Sequence, residues 1–319
     1  MEKTSPKQAV RFVLVDENHA GQRIDNFLMR ELKDVPRSYV YRILRKGEVR
    51  VNKKRIKPLY KLKNGDYVRI PPVYLPEKQD QQKTPDSLLK KLEAAIIFED
   101  SDLIFINKPS GMAVHGGSGI RHGLIESFRQ LRPELSFVEL VHRLDKETSG
   151  IVMLAKKRET LLSLHSMMKN GGFDKFYQTL VIGRWQGGPR TIKNRLQRKQ
   201  GRQQKVKVLA SDNASEGKES VSIFSPLKYY DHYSLLKVEL LTGRMHQIRT
   251  QLADLEHPVL GDSQYGNFAK NREAKKEIGL KRLFLHAYHI RFTLQNSGKN
   301  YDCKIPLADD LKKVIDQIT

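Results

Sequence analysis

The feature that most constrains the fold is a polar stretch from Leu75 to Lys91, LPEKQDQQKTPDSLLKK, which contains two prolines and three glutamines. Such a segment buries little apolar surface and is typical of a linker between domains. It divides the 319 residues into a short basic part and a longer part of globular composition. We therefore predict an N-terminal extension over residues 1–20, a small domain over 21–74, a linker over 75–92 and a larger domain over 93–319.

Apolar spacing in the small domain predicts two helices followed by a small sheet. GQRIDNFLMREL has apolar residues at Ile24, Phe27, Leu28 and Leu32, which is the spacing of one helical face. PRSYVYRILRKG repeats this spacing and ends at Gly47, a residue suited to a helix C-cap. EVRVN and DYVRIP then alternate apolar and polar residues, which favours short strands.

The charge balance points to a polyanionic partner, because 58 Lys and Arg oppose 36 Asp and Glu and give a net charge of +22. Between Arg37 and Arg69 the only acidic residues are Glu48 and Asp66, so this part of the small domain is expected to contact phosphates. The basic residues expected to contact phosphates there are Arg37, Arg42, Arg45, Lys46, Arg50, Lys53, Lys54 and Arg55.

Several other classes of protein are disfavoured. No apolar run approaches the roughly 18 residues of a spanning helix, and the polar N-terminus lacks a signal-peptide core, so we expect a cytoplasmic protein with no membrane association. The single cysteine, Cys303, allows no internal disulfide and no cysteine-based zinc site. Phosphate-loop and dinucleotide-loop motifs are absent, and the histidine spacing does not suit zinc. No nucleotide-cofactor loop and no metal site is therefore expected.

Strands and helices of the larger domain are interspersed without a regular strand–helix alternation. This predicts an α+β domain with a mixed, largely antiparallel sheet flanked by helices and loops. Two local expectations follow from composition. Residues 194–220 are basic and then polar, which suggests an irregular surface insertion, and a helix is expected to start at Gly243 and Arg244.

One carboxylate and one arginine are the candidates for chemistry. Asp145 lies between the apolar runs FVELVHR and GIVMLAKK, so two strands would present it on a loop. Arg249 falls in the first turns of the helix predicted in TGRMHQIRTQLADLEHPVLGDSQYG. An arginine that closes on a carboxylate stabilises its ionised form, which could then act as a nucleophile.

Three segments, NKPSGMAVHGG, VHRLDKETSG and TGRMHQIRTQLADLEHPVLGDSQYG, resemble in order the signature segments of the RluA-type pseudouridine synthases. Residues 21–72 resemble the S4 RNA-binding module, also called the αL motif. The resemblance implies a monomer that isomerises uridines to pseudouridine, without a cofactor, in 23S ribosomal RNA or a large-subunit assembly intermediate. It implies Asp145 as the nucleophile, Arg249 as its partner, Tyr177 as the residue that stacks on the flipped base, and Arg143 as the residue that fills the gap left in the RNA.

Two other functions stay open at the level of sequence. The first is a non-enzymatic RNA-binding or ribosome-assembly factor, in which the basic domain matters and Asp145 is incidental. The second is a nucleic-acid glycosidase, which would normally need a second carboxylate and room for water beside Asp145. None of the three signature segments supplies a second carboxylate next to Asp145, which favours isomerisation over hydrolysis.

Overall fold

The computed structural model describes residues 9–17, 19–32, 35–72, 84–116, 122–200, 206–211 and 217–318. The chain divides between Lys83 and Thr84 into two compact units. The fold class predicted from the sequence, an α+β domain with a small S4-like domain before it, is confirmed.

The N-terminal unit is a four-stranded antiparallel sheet packed against two helices. Its strand order is β1-β4-β2-β3. The apolar faces of the helices and the inward residues of the strands share one core, in which Ile24, Leu28 and Ile43 are fully buried. Its elements are β1 (Arg11–Leu14), α1 (Ile24–Glu31), α2 (Arg37–Lys46), β2 (Arg50–Val51), β3 (Lys54–Arg55) and β4 (Tyr67–Ile70).

Two segments differ from the boundaries expected from composition. Strand β1 lies within the predicted extension 1–20, where it pairs antiparallel with β4 and completes the small sheet. A helix, Asp86–Ala94, begins inside the predicted linker and places Leu92 in the core of the second unit. Only Leu92 is buried in this helix, while Leu88 and Leu89 are half-buried and the other side chains are exposed, so its composition resembles that of a linker. Residues 75–83 of the predicted linker, and the last two residues of the predicted small domain, lie outside the described residues.

The second unit is built on one large mixed sheet with helices around it. Eleven strands of the described chain join this sheet, and its main path runs β11-β10-β12-β13-β9-β14-β8-β6-β5. Its elements are α3 (Asp86–Ala94), β5 (Ile96–Glu99), β6 (Leu103–Lys108), α4 (Leu124–Leu131), β7 (Glu139–Leu140), β8 (Ser149–Ala155), α5 (Arg158–Lys169), β9 (Asp174–Ile182), β10 (Arg190–Gln200), β11 (Val206–Ser211), β12 (Lys218–Tyr229), β13 (Tyr233–Leu240), α6 (Gln247–Asp254), α7 (Phe268–Glu277), β14 (Leu285–Leu294), β15 (Lys299–Lys304) and α8 (Asp309–Ile315).

The prediction of an irregular insertion over residues 194–220 is wrong for much of that segment. Strands β10 and β11 pair antiparallel from Arg195–Ser211 to Gln200–Val206, and β10 also pairs with β12. The ladder is made by backbone N–H and C=O groups, so a sequence rich in basic and polar residues can still form it.

The register of three strands brings the candidate residues together. Ala287 on β14 pairs with Tyr177 on β9 and, in the one parallel pairing of the described sheet, with Gly150 on β8. Gly150 has φ +115°, and a Cβ atom there would lie 2.2 Å from the carbonyl oxygen of Ala287. Glycine is therefore required where β8 begins, directly after the loop that carries Asp145.

Candidate active site

The loop between β7 and β8 presents Asp145, as the sequence predicts, and a buried lysine holds this loop in place. The Lys108 ammonium donates hydrogen bonds to the carbonyl oxygens of Pro109, Met112 and Lys146 at 2.9, 2.9 and 3.1 Å. The backbone N–H of Gly111 donates to the same Lys146 carbonyl at 2.9 Å. The segment after β6 is thereby tied to the residue that follows Asp145.

Lys108 is completely buried, and its three protons have three carbonyl acceptors. Burial lowers the pKa of Lys108 to about 7, against the opposing effect of the negative charges on Glu147 and Asp145. Its hydrogen bonds all go to backbone carbonyls, which gives it a role in fixing the loop rather than in contacting a substrate.

Arg249, on helix α6, lies between two carboxylates. Its Nε and one terminal nitrogen donate to the two oxygens of Asp262 at 2.6 and 2.8 Å, while its other terminal nitrogen donates to Asp145 Oδ2 at 3.3 Å. The Asp262 side chain is 0% exposed and that of Asp145 is 18% exposed. Asp262 therefore anchors the guanidinium from behind, and Asp145 is the carboxylate that remains open to a ligand.

The ion pair behind the site stays charged. Burial alone would lower the pKa of Arg249, but hydrogen bonds and charge from Asp262, and then from Asp145, raise that pKa above its ordinary value. Burial alone would raise the pKa of Asp262, but Arg249 and the backbone N–H groups of Tyr265 and Gln264 hold it below its ordinary value.

The helix that carries Arg249 begins at Gln247, so the prediction that it starts at Gly243 and Arg244 is wrong. The Gln247 side chain accepts hydrogen bonds from the Thr242 hydroxyl and the Arg244 backbone N–H, which closes a turn before the helix. His246 is the N-cap, in the left-handed conformation with φ 54°. This conformation places the His246 ring with Nε2 3.7 Å from Asp145 Oδ2 and Nδ1 2.8 Å from the Tyr265 hydroxyl.

A cleft of about 500 Å³ opens over Asp145. Tyr177 lies in its wall and is 8% exposed. Burial, and then the charge of Asp145, raise the pKa of Tyr177 well above its ordinary value, so its phenol is neutral at physiological pH. The side chain of Arg143 is exposed at the same cleft.

The described lining of the cleft combines one acid with several cations. Among the described residues that line it, Asp145 is the only carboxylate. Its basic lining residues, besides Arg249, are Arg143, Lys169, Lys175 and Arg244. Such a lining suits a ligand that carries phosphates beside a neutral ring.

The structure thus brings together Asp145, Arg249, Tyr177 and Arg143, the four residues singled out for chemistry. Sequence reasoning did not assign a role to Asp262, although this residue lies in the third signature segment, in LGDSQYG. It also gave no role to His246. In the described part of the chain, no three His, Cys, Asp or Glu side chains converge where a metal ion could bind.

The basic residues predicted to contact RNA lie on α2 and on the β2–β3 hairpin of the N-terminal unit, and all eight are exposed. Within the described residues, Lys46 alone of this set lies within 4.0 Å of a carboxylate, that of Glu48. Arg42 lies over the Tyr39 ring at 4.3 Å from its centroid. These cations are therefore available to an external anion.

The described structure is therefore a mixed-sheet domain with an open carboxylate in a basic cleft, preceded in the chain by a small unit with exposed cations, which suits a protein that acts on a phosphate-bearing substrate. The family model for RNA pseudouridylate synthase matches residues 102–254, and the S4 domain model matches residues 22–68. The chain belongs to the RNA pseudouridylate synthase family, as its signature segments predicted.

Full-length relatives and solved structures agree with this assignment. The chain is 45% identical to ribosomal large subunit pseudouridine synthase C of Pasteurella multocida (strain Pm70), over 97% of this chain and 94% of the relative. It is 44% identical to the protein of the same name from Escherichia coli (strain K12), over 97% of each. The structure of human RNA pseudouridylate synthase domain containing 4 has a TM-score of 0.61 at 21% identity, covering 73% of this chain and 95% of that one, and shows the shared fold.

Proposed function

We propose that this protein isomerises uridines of the large-subunit (23S) ribosomal RNA to pseudouridine, at several sites. The observation that carries the proposal is the cleft in which Asp145 is the one carboxylate among the described lining residues, held by Arg249 opposite a buried tyrosine. The names of the full-length relatives, which specify the ribosomal large subunit, support the choice of RNA.

The reaction needs little from the protein beyond this geometry. The N1–C1′ bond of the uridine breaks, the uracil turns, a C5–C1′ bond forms, and the proton at C5 is replaced by one at N1. No atom is gained or lost and no electron is transferred to another molecule, so the balance requires no cofactor. Asp145 acts as the nucleophile on the flipped uridine, and Arg249 positions its carboxylate through a hydrogen bond.

Tyr177 and Arg143 serve the flipped base. Tyr177 offers a neutral aromatic face inside the cleft, and stacking on it offsets part of the few kcal/mol lost when a base leaves its stack. Arg143 is exposed at the cleft, where it can occupy the space that the uridine leaves in the RNA.

Hydrolysis of the same bond is less well supported. A glycosidase normally uses a second carboxylate to activate water or protonate the leaving group. The neighbouring carboxylate that shares Arg249, Asp262, has both oxygens bonded to the guanidinium and no exposed surface. A role as a pure binding factor would not require a buried ion pair that leaves one carboxylate open.

The test compares the products of the purified protein on large-subunit ribosomal RNA. We expect pseudouridine in the RNA and no free uracil; release of uracil would identify a glycosidase, and unmodified RNA would identify a binding factor. Mapping pseudouridines in cells with and without the protein then identifies the uridines.

We further propose that the protein acts as a monomer in the cytoplasm, on ribosomal RNA or on an assembly intermediate of the large subunit. Within the described ranges, every helix is too short or too polar to span a bilayer.

A further inference from the structure

The sheet of the N-terminal unit has one open face that is unusually rich in large apolar side chains. Its inner face, with Val51, Val68 and Ile70, packs in the core of the unit. On its outer face, Phe12 is 54% exposed and Leu14 is 65% exposed, both on β1, and Tyr67 on β4 is 50% exposed. Burying such groups is favourable, so a contiguous set of them marks an interaction surface.

The strand register makes these residues neighbours. Leu14 pairs with Tyr67 in the antiparallel ladder between β1 and β4, and paired residues lie on the same face of a sheet. Phe12, two residues from Leu14, lies on that face too. The Phe12 and Tyr67 rings stack, with centroids 5.3 Å apart and planes 14° apart. The two rings therefore form a flat aromatic surface at the edge of the sheet.

Arginines continue the same face. Phe12 pairs with Arg69, Arg69 pairs with Arg50, and Arg50 pairs with Arg55. Arg50 and Arg55 are exposed, and the Arg69 guanidinium is fixed by a 2.8 Å hydrogen bond to the Glu48 carbonyl. None of the four described strands of this sheet carries an acidic residue. Aromatic rings and arginines therefore lie side by side on one sheet face.

We infer that this outer sheet face, formed by Phe12, Leu14, Tyr67, Arg50 and Arg55, binds unpaired nucleotides of RNA. The inference rests on the proposed function, since it assumes an RNA partner. Bases of a single strand can stack on the rings while the arginines contact the adjoining phosphates. Bases inside a duplex are already stacked on their neighbours, so their faces are not available to these rings.

This face has a different task from the basic side chains of α2. Those cations contribute attraction to phosphates of any RNA, paired or unpaired. The outer sheet face adds selectivity for unpaired segments, which are the segments where a uridine can be flipped at least cost. The N-terminal unit would thus bring to the enzyme RNA that contains loops or junctions.

The experiment uses the full-length protein and the double variant Phe12→Ala/Tyr67→Ala. The probes are a single-stranded oligoadenylate, which contains no uridine and so reports binding apart from chemistry, and a fully paired RNA. We expect the double variant to bind the oligoadenylate at least about tenfold more weakly, because removing a ring on which a base stacks weakens binding by about that factor or more. Affinity for paired RNA and the salt dependence of binding should stay unchanged, since every basic side chain is retained.

Two further variants complete the design. Phe268→Ala removes a phenylalanine of the second unit that is 58% exposed, and it should leave oligoadenylate binding unchanged. Tyr67→Phe keeps the ring and should bind like the wild type. Both positions on the sheet are exposed, so thermal unfolding of the double variant should resemble that of the wild type.

Three results would overturn the inference: wild-type affinity of the double variant for oligoadenylate, an equal fall in affinity for paired and single-stranded RNA, or a dimer in sedimentation that the double variant abolishes. The last result would identify the face as an interface between copies of the chain. Because the oligoadenylate contains no uridine, failure here leaves the isomerase proposal standing. Equally, absence of pseudouridine would leave this binding result intact.

Discussion

Replacement of Asp262 by asparagine tests whether the buried ion pair behind the cleft positions Arg249. Asparagine keeps the shape of the side chain, but it removes one charge and turns an amide N–H group toward the Arg249 donors. Breaking a buried pair costs roughly 3–5 kcal/mol, because the remaining charge is left without compensation. Arg249 would still have Asp145 at 3.3 Å, so we expect the lower end, about 3 kcal/mol.

For a unit of this size, about 3 kcal/mol lowers the melting temperature by roughly 6–12 °C. We also expect kcat for pseudouridine formation to fall by about 100-fold with little change in KM, since a small displacement of a catalytic group costs about that much. Calorimetry measures the first effect, and steady-state assays on a fragment of large-subunit ribosomal RNA measure the second. Wild-type kcat in this variant would refute a positioning role for Asp262.

The matched control is Asp310→Asn, the same substitution in another two-hydrogen-bond arginine–aspartate pair. Asp310 bonds to Arg282 at 2.6 and 2.9 Å, but its side chain is 60% exposed. Exposed pairs contribute about 1 kcal/mol or less, so this variant should melt close to the wild type and keep its activity. Equal destabilisation by the two variants would show that burial of the Asp262 pair has no special effect.

Three other expectations concern stability and RNA binding. Burial lowers the pKa of His286 to about 4. The stability that its neutral ring contributes is therefore complete above about pH 6.5, and about 3 kcal/mol of it is lost as the pH falls toward 4. Urea unfolding of His286→Gln should show a weaker pH dependence over this range than unfolding of the wild type. Lys108→Met leaves three buried carbonyl oxygens without their donor, so it should lower the free energy of unfolding by about 3 kcal/mol or more. A decrease below about 1 kcal/mol would contradict the role of these hydrogen bonds. Arg42→Gln/Arg45→Gln should reduce the slope of log Kd against log salt by roughly 1 for each phosphate that is no longer neutralised, and an unchanged slope would exclude α2 as a phosphate-binding helix.

The parts of the site that could be predicted from the sequence are those with a local signal. Asp145 lies on a loop because charged residues there interrupt two apolar runs that form β7 and β8. Arg249 lies on a helix because its neighbours have helical spacing. The role of Asp262 has no such signal, because it depends on a turn that returns the chain to Arg249 after 13 residues. The third signature segment contains both residues, but nothing in the sequence indicated that they form a pair.

Other differences arise where backbone bonding decides the structure. Strands β10 and β11 have the composition of a solvated insertion, yet β11 pairs with β10 and β10 pairs with β12, which makes both part of the main sheet. The Gln247 side chain accepts a hydrogen bond from the Arg244 N–H, and helix α6 starts at Gln247. The spacing of apolar residues does not reveal such a side-chain hydrogen bond, so the start of the helix could not be predicted from it. The buried faces of α1 and α2, in contrast, could be predicted from the spacing of their apolar residues, which form the core of the N-terminal unit.

The rate of pseudouridine formation by Asp145→Asn under single turnover tests most directly whether Asp145 is the nucleophile. This substitution keeps the size of the side chain and removes the carboxylate to which Arg249 donates a hydrogen bond. We expect no detectable pseudouridine in large-subunit ribosomal RNA, with RNA affinity close to that of the wild type. Pseudouridine formed at the wild-type rate would contradict the assignment of Asp145 as the nucleophile.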